Sequence, residues 1–112
     1  MDVRSLGGAE AFTTADGSMI RELHHTEAQS LAEASLRAGQ ATRRHQHRRS
    51  EEIYFVLEGR GEMELEGERR GLGPGDAVLI PAGAWHEIRA LEALRFLCAC
   101  APPYAHEDTF FE

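Results

Sequence analysis

Two histidines two positions apart, His45 and His47, stand just ahead of an unbroken apolar run from Ile53 to Leu57 that ends in Gly59. No other feature restricts the fold as much. The run is β-branched, aromatic or leucine throughout and reads as a strand. In a strand, side chains at i and i+2 point the same way, about 6.5 to 7 Å apart along the chain. In a helix the same spacing would set them on nearly opposite sides. A His-x-His pair in β-structure can therefore grip one metal ion. Glu52 lies an odd number of positions beyond His47, so an unbroken strand would aim it at the other face. The polar break Arg48-Arg49-Ser50 lets the chain turn and bring Glu52 back to the histidines.

A second stretch, Gly75 to His86, runs from a short apolar strand (Ala77 to Ile80) into Pro81-Ala82-Gly83, with His86 just beyond. Proline fixes one backbone angle and glycine permits unusual ones, so this turn can hold His86 in a set place. Together the two stretches resemble the cupin superfamily. Gly39, His45, His47, Glu52 and Gly59 fit G-x5-H-x-H-x4-E-x6-G, and Gly75, Pro81, Gly83 and His86 fit G-x5-P-x-G-x2-H. The one departure is Ala90, where the family often has an asparagine shortly after the histidine. The resemblance spans residues 39 to 90. It implies an all-β, cupin-type jelly-roll β-barrel with one divalent transition metal held inside by His45, His47, Glu52 and His86.

Composition narrows the function classes. The chain is short enough for one domain over residues 1 to 112, with a cupin core over about 31 to 101. A formal charge of −7 argues against a nucleic-acid partner. There is no lysine, which excludes a Schiff-base lysine, pyridoxal-phosphate chemistry and a P-loop. No apolar run approaches the roughly 20 residues of a membrane span, and no apolar leader opens the chain. Cys98 and Cys100 are too close in sequence to staple anything useful, so a reducing cytoplasm is the expected compartment.

Along the chain, Asp16-Gly17 marks a turn and Met19 to Leu23 a first strand. Leu31 to Leu36 is expected as a second strand, although the alanine- and glutamate-rich segment around it also suits a helix. Glu62 to Glu66 alternates cleanly, with a wet glutamate face. Glu66-Gly67-Glu68 reads as a turn, Leu72 to Asp76 as a loop, and Leu94 to Ala101 as a final apolar strand stopped by Pro102-Pro103. The tail after it resembles those of small bacterial cupins, and its role stays open. His24, His25 and His106 fit no ligand pattern.

Three imidazoles and one carboxylate suit iron or manganese first, then nickel, zinc or cobalt. Four protein ligands leave two positions open on an octahedral ion. Tyr54 and Val56 share the parity of Glu52 and face the metal with it. Tyr54 is thus either a general acid/base candidate or an aromatic core residue. Trp85 either shapes the pocket mouth or simply packs. Arg43 shares parity with His45 and His47 and either anchors a carboxylate ligand or belongs to a solvated rim with Arg44, Arg48 and Arg49. Cys98 and Cys100 point one way, toward the metal or into the core as small hydrophobes. Ile53, Phe55 and Leu57 face away from Glu52 yet are apolar, so that wall needs cover, from the N-terminal segment or from a second subunit in a homodimer. The expected function is a metal-dependent enzyme acting on a small polar metabolite, of dioxygenase or isomerase/lyase type. The other reading is a module that binds metal or a small ligand without turnover.

Overall fold

The computed structural model describes residues 1–112. Short strands with glycine and proline between them leave two sheets to pack face to face. The strands in chain order are β1 (Ala11–Thr13), β2 (Met19–His25), β3 (Ser30–Leu36), β4 (His45–His47), β5 (Glu51–Glu58), β6 (Gly61–Leu65), β7 (Glu68–Leu72), β8 (Ala77–Ile80), β9 (His86–Ala90), β10 (Leu94–Ala101) and β11 (Thr109–Phe111). Six form one antiparallel sheet in the order β1-β2-β3-β10-β5-β8, and five form the other in the order β11-β4-β9-β6-β7. From β3 onward the chain changes sheet at every connection except the β6–β7 hairpin. The result is a jelly-roll β-barrel. Residues 31–36 take the strand, because pairing with β2 and β10 overrides local helix preference. No helix is long and apolar enough to cross a membrane.

Alternation decides what fills the barrel. On β5, Glu52, Tyr54 and Val56 are buried, while Ile53 and Phe55 are about two-fifths exposed on the other side. Val56 packs with Leu36, Met63, Ile80, Ile88, Leu94 and Phe96 in one core cluster. Such side chains contribute roughly 1.5 to 3 kcal/mol each on burial. Two motif glycines have visible reasons. At Gly59 (φ +86°) a Cβ would fall 2.0 Å from the carbonyl oxygen of Ala93, so no other residue fits. Gly83 (φ +83°) donates its N–H to the carbonyl of His47 at 2.6 Å, tying the second motif's turn to the first motif's strand.

Three expectations need correction. The span from Glu68 to Leu72 is a strand, since β6 and the Glu66-Gly67 turn deliver it into antiparallel pairing. The strand Leu94–Ala101 ends before Pro102-Pro103 as expected but is not the final one: after a short 3-10 turn (His106–Asp108), β11 pairs with β4. The glutamate face of β6 is not wet throughout, because Arg44 covers Glu64 and leaves it 5 % exposed. The outer face of β5 and β8 is bare. β1 and β2 lie beyond β3, at the far edge of that sheet, so the N-terminal strands do not cover Ile53, Phe55 and Leu79.

Candidate metal centre

The sheet changes bring the motif residues together. His45 sits opposite His86 across β4 and β9, and His47 follows on the same face. Glu52 arrives from the other sheet on β5, after the bend at Arg48-Arg49. The ligand atoms of the three histidines all lie within 4.8 Å of one another. Glu52 Oε1 stands 3.4 Å from His47 Nε2 and 3.5 Å from His86 Nε2. The three imidazoles and the carboxylate are all buried.

Hydrogen bonds fix which imidazole nitrogen is free. His45 Nδ1 lies 2.7 Å from the carbonyl oxygen of Arg43, and His86 Nδ1 lies 2.9 Å from that of Ala84. A carbonyl only accepts, so both rings carry the proton on Nδ1 and turn an unprotonated Nε2 inward. His47 Nδ1 meets the hydroxyl of Thr109 at 3.3 Å. Glu52 Oε2 accepts the thiol of Cys100 at 3.3 Å. That leaves Glu52 Oε1 and His86 Nε2 buried with no hydrogen-bond partner. Orphaned buried acceptors cost about 1 to 3 kcal/mol each unless something else satisfies them. Two facing acceptors cannot satisfy one another, and a cation satisfies both. The donor set therefore fits a divalent transition metal ion.

Electrostatics agree with that reading. Burial, with His86 beside it, lowers the His45 pKa to about 4, so this ring is neutral and ready to ligate. Burial alone would lower that of His47 too, but the Glu52 carboxylate 3.4 Å from Nε2 outweighs it and raises the value. Burial pushes the Glu52 carboxyl up, yet His47 and His86 hold it at about 2. Burial, then the Glu52 charge, drives the Tyr54 hydroxyl well above its usual value.

A cavity of about 50 Å³ opens beside the centre, lined by nineteen residues that include His45, His47, Glu52 and Tyr54. Tyr54 is 3 % exposed, its ring 6.0 Å from that of His86, and its hydroxyl makes no hydrogen bond within the chain. Cys98 and Cys100 also line the cavity, and burial raises both thiols. Arg43 is not there. β4 begins at His45, so the strand's parity does not reach back two residues, and the Arg43 guanidinium lies exposed over the Phe111 ring at 4.3 Å. No arginine lines the cavity, so of the two roles open to Arg43 the carboxylate anchor is absent and the exposed rim remains. Trp85 lies just before β9 begins, half-buried under Arg44 and away from the cavity lining. It does not shape the mouth.

Three wall residues escaped the sequence reading. Asp16 lies 3.9 Å from His45 Nε2, with Oδ1 held by Thr14 and Ser18. Only its turn signal was visible beforehand. Tyr104 and Thr109 come from the tail, with the Tyr104 ring 5.9 Å from His47. The signal for that segment was the β-branched and aromatic run Thr109-Phe110-Phe111, masked by the two prolines before it.

The family model of the cupin domain matches residues 32–100, and the chain belongs to the cupin family. It is 46 % identical over 105 residues to an uncharacterized protein of Methanocaldococcus jannaschii, covering 88 % of this chain and 84 % of that one. The fold is similar to that of KdgF from Halomonas sp., with a TM-score of 0.87 and 27 % identity over 96 % of this chain and 98 % of the other. A shorter match, 49 % over 49 residues, is to the dimethylsulfoniopropionate lyase DddQ of Ruegeria pomeroyi, covering 43 % of this chain and 24 % of the lyase.

Proposed function

We propose that this cupin is a metal-dependent enzyme of the lyase or isomerase type, acting on a small polar metabolite. One observation carries the choice: Tyr54, a buried phenol with no internal hydrogen bond, is held protonated beside the histidine cluster. His45, His47, Glu52 and His86 would hold the ion, iron or manganese first, then nickel, zinc or cobalt. Bound there, it would polarise a carbonyl or hydroxyl oxygen of the ligand. Tyr54 would hold a proton at Oη toward the ligand, since its raised pKa keeps the phenol protonated and rules it out as a base. Tyr104 and Phe96 would exclude water around the ligand. The local likeness to a lyase supports the reading. A dioxygenase would use the same ligands but would give the Tyr54 proton no task.

The test is turnover of a panel of small hydroxylated and carboxylated metabolites, followed by proton NMR with and without dioxygen. Turnover should persist without oxygen and stop on chelation. Tyr54→Phe should keep its metal and lose roughly 100-fold or more in rate. Strict oxygen dependence would favour the dioxygenase. Metal binding with no turnover by any candidate would favour the non-catalytic module.

The bare outer face supports a homodimer. Ile53 pairs with Leu79 and Ala99, and Phe55 with Ala77 and Leu97, an apolar sheet surface in an acidic chain. A second copy offers the same apolar face. Sedimentation should give a dimer at micromolar concentration and a monomer for Phe55→Glu. The two free thiols, inward on one strand, are consistent with a reducing cytoplasm.

A further inference from the structure

Besides supplying Tyr104 to the cavity wall, the tail meets the centre at His47. His45 and His86 are oriented by backbone carbonyls two residues back, whereas His47 Nδ1 meets a side chain, the Thr109 hydroxyl, beside the backbone of Asp108. That hydroxyl lies 3.2 Å from the carbonyl oxygen of Ala105, which must accept its proton. The Thr109 oxygen is then left as an acceptor, and the nitrogen facing it, His47 Nδ1, must be the donor. Glu52 Oε1 invites the other tautomer, because it lies 3.4 Å from His47 Nε2 and would accept a proton there. A proton at that point would block both His47 and Glu52 at once. Thr109 is placed directly opposite His47 in the β4–β11 pairing. Just before it, Asp108 accepts the backbone N–H groups of Arg48, Arg49 and Ser50, fixing the tail against the bend that follows His47.

We infer that Thr109 is a positioning residue of the metal centre: its hydroxyl, oriented by the Ala105 carbonyl, holds His47 in the Nδ1–H tautomer and keeps Nε2 free for the ion. This inference rests on the metal reading of the site, and its test separates the two. The full-length chain, metal-free and at a pH well above the histidine range, is examined by long-range proton–nitrogen NMR of the imidazole rings. The wild type should show His47 protonated on Nδ1, and Thr109→Val should shift it toward Nε2–H. Cobalt(II) alone is then titrated by its visible absorption. Thr109→Val should bind roughly 10- to 100-fold more weakly, the usual cost of losing an outer-sphere partner, and Thr109→Ser should recover most of the loss. Thermal unfolding of the metal-free variants separates this from misfolding. A Thr109→Val protein with the wild-type tautomer and wild-type cobalt affinity overturns the inference, as does a serine variant no better than valine. If the wild type binds no cobalt, the metal reading fails, and the tautomer measurement still decides the part played by Thr109.

Discussion

His45 and His86 are held by carbonyls two residues away in the chain; His47 is held by a hydroxyl sixty-two residues away. The first arrangement is local and uses backbone, so no side-chain substitution removes its acceptor. The second depends on a side chain, on β11 pairing with β4, and on the Asp108 clamp. One flank of the centre is thus built by the motifs themselves, and the other by a segment outside them. The largest expected effect strikes the local flank. His86→Ala removes a fully buried ligand atom that nothing in the barrel replaces. Metal affinity should fall by more than the roughly 100-fold upper end of outer-sphere losses, and elemental analysis after gel filtration should find the variant empty. Full occupancy would mean that the ion sits elsewhere.

The long-range flank should fail differently. Asp108→Ala strips a buried carboxylate from the N–H groups of Arg48, Arg49 and Ser50, which themselves hold its pKa down against burial. Charged hydrogen bonds contribute about 1.5 to 3 kcal/mol and are not fully additive, so a loss of about 2 to 4 kcal/mol in urea unfolding is expected. Cobalt affinity should weaken with it, because the tail carries Thr109. A loss below about 1 kcal/mol would show that the bend after His47 holds its shape unaided.

The same contrast sets what was legible beforehand. The cupin resemblance carried by the motifs implied His45, His47, Glu52 and His86 around one point, and the period of two along Ile53–Leu57 sorted inside from outside. Both are short-range patterns, and the jelly roll came with the motifs. Tyr104, Thr109 and Asp16 were not legible as wall residues, because their positions depend on pairings between segments far apart in the chain. Arg43 failed for a related reason: parity was carried two residues past the point where β4 begins. Trp85 shows the same limit: it precedes the start of β9, so its nearness to His86 in sequence did not place its ring, which lies under Arg44.

Titration sharpens the comparison, because His45 and His47 shift in opposite directions. With the His45 value depressed to about 4, the unfolded chain binds more protons between there and about 6.5. Metal-free stability therefore falls as pH drops through that window, by at most about 3 kcal/mol. His47 is raised, so the stability it contributes is complete below about 6.5 and is lost as pH climbs through its folded value. Urea midpoints of the metal-free protein should peak near about pH 6.5. A divalent ion needs neutral imidazoles, so loading should raise the midpoints on the alkaline side and remove that decline. A metal-free profile rising steadily to high pH would mean that Glu52 does not hold a proton on His47.

The smallest effects separate Arg43 from Arg44, two neighbours on the stretch leading into β4. Arg43 lies over the ring of Phe111 on the outside of the tail and reaches no group of the cavity. An exposed guanidinium–ring contact is worth about 0.5 to 1 kcal/mol, so Arg43→Ala should loosen β11 by about that much. It should leave cobalt affinity and ligand binding unchanged. Arg44 instead covers Glu64, whose pKa it lowers through a hydrogen bond, and it also reaches Glu112 near the chain's end. Removing it strands a carboxylate that is 5 % exposed, so Arg44→Ala should lower the thermal midpoint further than Arg43→Ala. The deficit should shrink as pH falls and Glu64 takes up a proton, which no loss of simple packing would do. Equal midpoints for the two variants at neutral pH, or a deficit unaffected by acid, would show that Glu64 finds water instead of needing Arg44.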